Sequence, residues 1–117
     1  MVAMFDDSPS EIEVHKKAFL EGIQRWKSVN QRRVGLGDGF FVNDQMFIEM
    51  HSTLRNLRVA VRLPPTHLLR AINNGLARAH HEPTQFRAGW VELDIDSPGA
   101  LENALTLARQ GYMEVSR

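Results

Sequence analysis

The chain has 117 residues and 43% hydrophobic content, which suits one domain with a modest core and leaves no room for a second. Its 14 Lys and Arg residues balance 14 Asp and Glu residues, so it lacks the global positive charge that supports general binding to nucleic acids or anionic membranes. The absence of cysteine excludes disulfides, thiolate nucleophiles and cysteine-ligated metals. We expect a single cytoplasmic domain over residues 1–117, with residues 1–9 as a flexible tail, because neither a signal-peptide pattern nor an apolar run of membrane-spanning length is present.

The first half of the chain predicts one helix and one hairpin. Ser10 followed by Glu13 is a capping-box pattern, and the apolar residues after it recur at helical spacing, so we expect a first helix over residues 10–27. Residues 28–39 break this period and are rich in glycine, which predicts a flexible connection. An Asn-Asp pair then tolerates the positive φ angles of a tight turn and predicts an antiparallel hairpin. Its two strands span residues 40–42 and 45–51.

The second half predicts strands over residues 57–63 and 89–95, which alternate along the chain with helices over residues 66–79 and 98–110. Thr66 is expected to cap the first of these helices, with Gly75 as a tolerated weak point inside it. Ser97 followed by proline is expected to start the last helix, and Gly111 to stop it. The order α-β-β-β-α-β-α predicts an α+β single domain, with an antiparallel sheet of about four strands and three helices packed on one face.

Period-two alternation divides each predicted strand between two faces of the sheet. We expect the helix-covered face and the helices to bury Phe19, Ile23, Ile48, Val59, Val61, Leu69, Ile72, Val91, Leu93, Leu101 and Leu105. We call the opposite face the mixed face, and we expect it to carry Phe47, Glu49, His51, Arg58, Arg62, Trp90, Glu92 and Asp94. Three interpretations are open for it: a solvated surface with routine ion pairs, an interface with a partner, or a small-molecule site.

The small-molecule interpretation assigns chemical roles to the mixed face. Glu49 and His51 lie two residues apart on one strand and point the same way, so they form a candidate catalytic acid–base pair with His51 as the proton acceptor. Trp90 would form a stacking wall for a planar ligand, and Arg58 or Arg62 would neutralise its enolate or carboxylate. The other candidate ligand-binding residues are Phe47, His80 and His81.

The same residues raise the question of a metal ion. Glu49 and His51, together with His80 or His81 from the following loop, match the two-His, one-carboxylate set that holds non-haem iron, and the set with His81 is the one we consider further. We expect no metal, because the chain offers only these three candidate ligands and one of them lies in a loop.

The interface interpretation describes a non-catalytic module that docks through Trp90, Arg58 and Arg62 onto a second copy or another protein. Zero net charge favours self-association, and both charge signs on one face suit a two-fold homodimer contact. The same neutrality disfavours DNA binding by this face.

Several short motifs between residues 40 and 113 resemble the luciferase-like domain family, which is named for fungal luciferase and includes many small bacterial proteins. The motifs are Glu49-Met50-His51, Arg62-Leu63-Pro64, Ala77-Arg78-Ala79-His80-His81, Ala88-Gly89-Trp90-Val91 and the helical run from Ala104 to Tyr112. For fungal luciferase the resemblance implies oxygen-dependent oxidation of a hydroxypyrone without an organic cofactor. We therefore expect binding or oxidation of a planar small molecule.

The chain departs from the pattern of that family at two places. Glu49 stands where the family has the first His of His-x-His, and the His80-His81 pair lies further from Gly89-Trp90 than the pattern has it. Both departures bear on the candidate site. A weaker resemblance connects the chain with small MmcQ/YjbR-type proteins, which have been discussed as DNA-binding-like.

Overall fold

The computed structural model describes residues 10–117, and the predicted tail at residues 1–9 lies outside them. Four helices are described: α1 (Glu11–Gln24), α2 (Pro65–Asn73), α3 (Pro83–Arg87) and α4 (Pro98–Val115). Six strands are described: β1 (Asn30–Val34), β2 (Gly37–Val42), β3 (Gln45–Ser52), β4 (Leu57–Arg62), β5 (Arg78–Ala79) and β6 (Trp90–Asp94). They form one antiparallel sheet in the order β1-β2-β3-β4-β6-β5. The α+β class and the antiparallel sheet are confirmed, with two strands and one helix more than predicted.

The first helix has the predicted cap and is shorter than predicted. The Ser10 Oγ accepts a hydrogen bond from the Glu13 backbone N–H at 3.2 Å, and the helix ends at Gln24. The prediction of a flexible connection over residues 28–39 was wrong, because these residues contain β1 and the start of β2, joined by a turn in which Gly35 has a φ of 56°. The strand β1 is exposed over most of its length, so it shows no alternation of apolar and polar residues.

The β2–β3 hairpin has the predicted turn and an unpredicted β-bulge. Asn43 and Asp44 adopt the expected positive φ angles of 53° and 63°. The register shifts beside the turn, since Phe40 pairs with Ile48 while Phe41 pairs with Met46. The residue between those two partners, Phe47, is therefore extra, and its side chain turns into the core.

The bulge moves Phe47 off its predicted face and places Met46 on the mixed face. Phe47 is fully buried and packs edge-on against the Tyr112 ring of α4 at 5.9 Å, so it lies in the core and not on the mixed face. Met46 lies on the mixed face, because its sulfur comes within 2.8 Å of the Cβ position of Gly39, whose strand partner is Glu49. Alternation could not predict this exchange, since a bulge breaks the period of two.

The second predicted helix is shorter at its C-terminal end. It starts at Pro65 after Pro64, without the expected Thr66 cap, and ends at Asn73. Gly75, predicted as a weak point inside the helix, has a φ of 71° and lies just after its end. Residues 78–79, predicted as helical, form the edge strand β5.

The last helix starts as predicted and continues past its predicted stop. The Ser97 Oγ accepts a hydrogen bond from the Ala100 backbone N–H at 3.1 Å, and Pro98 occupies the first turn. Gly111 does not end the helix, which runs to Val115. A Cβ at Gly111 would lie 2.8 Å from the carbonyl oxygen of Arg62, so the glycine allows α4 to approach β4 closely.

The core lies between the sheet and the helices. Most of the expected core residues are buried. Ile72, Leu101 and Leu105 are only partly buried. Leu69 is 59% exposed and was wrongly placed, because α2 turns Leu68 and Ala71 toward the core instead. Among the helices of residues 10–117, none combines the length and apolarity that a membrane crossing requires.

Candidate functional site

The mixed face carries a row of charged residues across its central strands. Glu49 of β3 pairs with Ala60 of β4, Ala60 pairs with Glu92 of β6, and Glu92 pairs with Arg78 of β5. Neighbouring strands lie about 4.8 Å apart, so the small side chain of Ala60 separates two carboxylates that point the same way. The next row consists of His51, Arg58 and Asp94.

Glu92 is the centre of this arrangement. It is 3% exposed and is the one polar or charged residue classed as buried within residues 10–117. A buried carboxylate needs hydrogen bonds or opposite charges to offset its lost hydration. Its oxygens accept hydrogen bonds from the ring Nδ1 and the backbone N–H of His81 at 3.0 and 3.1 Å. The Nε atoms of Arg58 and Arg78 lie 3.7 and 3.5 Å from the same carboxylate.

The contact with Glu92 fixes the proton position on the His81 ring. A carboxylate only accepts hydrogen bonds, so the Nδ1 of His81 carries a proton and donates it toward Glu92. The neutral ring then keeps its lone pair on Nε2. The His81 side chain is half exposed, and Nε2 lies 3.9 Å from a carboxylate oxygen of Glu82. This is the geometry of a carboxylate-oriented imidazole that can accept a proton.

His80 stacks on His81, with the two ring centroids 4.5 Å apart and the planes 20° from parallel. Its Nδ1 accepts a hydrogen bond from the Glu82 backbone N–H at 3.0 Å, which requires that Nδ1 is unprotonated. Burial lowers the pKa of His80 below its ordinary value, Glu92 and Glu49 oppose this shift, and His81 and Arg58 add to it. A neutral His80 ring with its proton on Nε2 satisfies this contact.

The cluster formed by His80, His81 and Glu92 does not fit a metal ion in this arrangement. Ligand atoms of His80, His81 and Glu92 lie within 4.8 Å of one another, and neither Glu49 nor His51 belongs to this group. The lone pairs of two stacked rings lie in nearly parallel planes, so they cannot converge on one ion at about 2.1 Å. Both Nδ1 atoms are also engaged in hydrogen bonds. The set Glu49, His51 and His81 is not brought together as a group of ligands within residues 10–117.

The remaining candidate residues are spread over three environments. Trp90 lies on β6, two residues before Glu92, but is only 7% exposed. Little of its ring is therefore free to stack on a ligand or to anchor a partner. Arg58 contacts the Glu92 carboxylate, whereas Arg62 is exposed and lines a separate cleft. Phe47 lies in the core. A homodimer through this face stays a prediction.

Sequence reasoning placed Glu92 on the correct face and assigned it no role. Arg78 was missed, because it was predicted inside a helix. The available signal was a glutamate between Val91 and Leu93, in the middle of a strand that begins with Trp90. That position suggests a buried charge that needs cationic partners.

Comparisons with known proteins give no further assignment. No protein-family model, no curated protein and no solved structure matches this chain. The resemblance to the luciferase-like domain family therefore stays a prediction that depends on the motifs alone.

Proposed function

We propose that the protein binds a planar, ionisable small molecule on the mixed face and accepts its proton on the Nε2 of His81. The observation that carries this proposal is the 3.0 Å contact between the His81 Nδ1 and the buried Glu92 carboxylate. The carboxylate holds the tautomer that leaves Nε2 free, and it stabilises the imidazolium that forms when Nε2 takes a proton.

The surrounding charges suit a ligand that becomes an anion. Arg58 approaches Glu92 through its Nε, and its side chain is 39% exposed. A guanidinium has five N–H donors, so Arg58 can contact Glu92 and still donate to a bound enolate or phenolate. Arg78 contacts both Glu92 and Asp94 and is already largely neutralised.

The proposal changes the predicted proton acceptor and keeps the predicted class of ligand. His51 was the expected acceptor, with Glu49 as its acid–base partner. The side chain of Glu92 orients His81, and neither Glu49 nor His51 has a comparable contact within residues 10–117. A planar, ionisable ligand such as a hydroxypyrone or a catechol also agrees with the luciferase-like resemblance. Oxidation of the bound anion is the later step that this resemblance implies.

Nitrocatechol provides a direct test, because its visible absorption changes when it ionises. Titration should be carried out slightly below the pKa of the free compound. We expect wild-type protein to shift the bound nitrocatechol to the spectrum of the ionised form. The variant His81→Asn can still donate a side-chain N–H to Glu92 but lacks the basic Nε2, so it should lose the shift.

His15→Asn provides the matched control, since His15 lies on α1 and, within residues 10–117, forms no hydrogen bond or ion pair with His81 or Glu92. This variant should behave like the wild type. The proposal fails if wild-type protein produces no spectral shift with nitrocatechol or a hydroxypyrone. It also fails if His81→Asn produces the same shift as the wild type.

A further inference from the structure

A cleft of about 560 Å³ lies at the end of the sheet where β4 stops. Its walls come from the start of α2, from α3 and the glycine after it, and from the last turn of α4. Volumes of about 300–1,000 Å³ are typical of small-molecule sites. Glu92, His80 and His81 do not line this cleft, so it is separate from the proposed proton-accepting site.

The lining of the cleft combines apolar and polar surface, and part of it is rigid. Leu68 and Val115 form buried parts of the wall, and Phe86 is partly buried. Leu69 also lines the cleft but is 59% exposed, so a ligand could cover apolar surface that water now contacts. The wall also includes Pro64 and Pro65, whose φ angles are fixed by their rings.

The charges at the cleft favour an anion. Arg62 and Arg87 line it, and within residues 10–117 neither guanidinium makes a salt bridge to a carboxylate. Glu114 also lines the cleft, but its carboxylate is paired with Arg117 at 2.7 Å. Two unpaired guanidinium groups therefore stand beside an apolar wall.

We propose that this cleft binds an apolar carboxylate, such as a medium-chain or aryl carboxylic acid. Arg62 and Arg87 hold the carboxylate, since a guanidinium matches its planar, two-oxygen geometry. The hydrocarbon body covers Leu69 and Phe86. This binding is independent of the ionisation chemistry at His81.

Decanoate is a suitable probe, with decanol and decylammonium as analogues of the same chain length. Binding can be followed by NMR shifts of the full chain at concentrations below micelle formation. We expect saturable shifts centred on Leu69, Phe86 and Val115, with decanoate binding about tenfold more tightly than decanol because of its charge-assisted hydrogen bonds. Decylammonium should bind more weakly than decanol.

Variants separate the charge effect from the apolar effect. The double variant Arg62→Gln/Arg87→Gln should lower the affinity for decanoate to that for decanol and leave decanol unchanged. Arg70→Gln is the matched charge control, because Arg70 is exposed on α2 and does not line the cleft. Leu69→Glu should weaken both probes, whereas Leu69→Met should retain them.

Three results would overturn the proposal: equal binding of decanoate and decanol, shifts centred outside the cleft, or an equal loss of affinity in Arg70→Gln and the double variant. His81→Asn should bind decanoate like the wild type. Failure of the nitrocatechol test and failure of the decanoate test are therefore distinguishable.

Discussion

Replacement of Gly111 by alanine tests the close contact between α4 and the sheet. Alanine is favoured over glycine inside a helix by up to about 1 kcal/mol, so propensity alone predicts a more stable protein. The structure predicts the opposite. The new Cβ would lie 2.8 Å from the carbonyl oxygen of Arg62 and 3.1 Å from a methyl group of Val61.

The expected size of the effect follows from these two contributions. The carbonyl of Arg62 belongs to the backbone, so it cannot rotate away as a flexible side chain could, and α4 must move off β4. Overpacking of this kind costs about 1–3 kcal/mol. After the gain in helix propensity, we expect the free energy of unfolding of Gly111→Ala to fall by up to about 2 kcal/mol.

Urea denaturation followed by circular dichroism measures this change. Gly99→Ala is the control in the same helix, because the nearest atom to its new Cβ is the Ser97 Oγ at 3.9 Å. Gly99→Ala should leave stability unchanged or raise it by up to about 0.5 kcal/mol. If Gly111→Ala is as stable as the wild type, or if both variants lose the same amount, the reasoning from the helix–sheet contact is refuted.

Three further predictions concern the cluster and the end of α4. Glu92→Gln removes the charge that faces two arginines and should lower the free energy of unfolding, measured by urea denaturation, by about 1–3 kcal/mol. Asp94→Asn, at a half-exposed ion pair, should lower it by less than about 1 kcal/mol. Equal losses in the two variants would contradict the central role of the buried carboxylate. Tyr112→Phe removes a 2.8 Å hydrogen bond to the carbonyl oxygen of Lys27 and should cost about 1 kcal/mol by the same assay; an unchanged midpoint would show that water replaces this bond fully. The lowered pKa of His80 means that the unfolded chain binds a proton at this residue more readily than the folded chain does. As the pH drops below 6.5, the stability of the wild type should therefore fall more steeply than the stability of His80→Asn. Parallel profiles of stability against pH for the two proteins would exclude this contribution.

The elements predicted correctly are those whose local chemistry specifies one conformation. Asn43 and Asp44 accept positive φ angles, and Ser97 caps a helix that starts with proline, so the hairpin and the start of α4 follow from short-range signals. The strand β1 has no apolar alternation, and β5 is only two residues long, so neither has a readable pattern.

The candidate site could be predicted only in part, because its contacts join residues that are far apart in the sequence. Alternation placed Glu92 on the mixed face, but its burial and its contact with His81 depend on how the segment after β5 folds back over the sheet. Because the sequence does not show this fold-back, His51, which shares a strand with Glu49, was the predicted proton acceptor instead of His81. Phe47 was misplaced for a different reason, because the bulge adds one residue and exchanges the faces around it.

The polar character of β1 also protects the outer edge of the sheet. This strand lies at the end of the strand order, so within residues 10–117 the backbone groups on its outer side pair with no neighbouring strand. An unpaired edge is a template onto which another chain can add a strand and start aggregation. Arg32 and Arg33 stand in the middle of β1, and two like charges would repel the same segment of an approaching copy. The arginines that leave β1 without an alternation of apolar and polar residues therefore also help to prevent strand pairing between the edges of separate molecules.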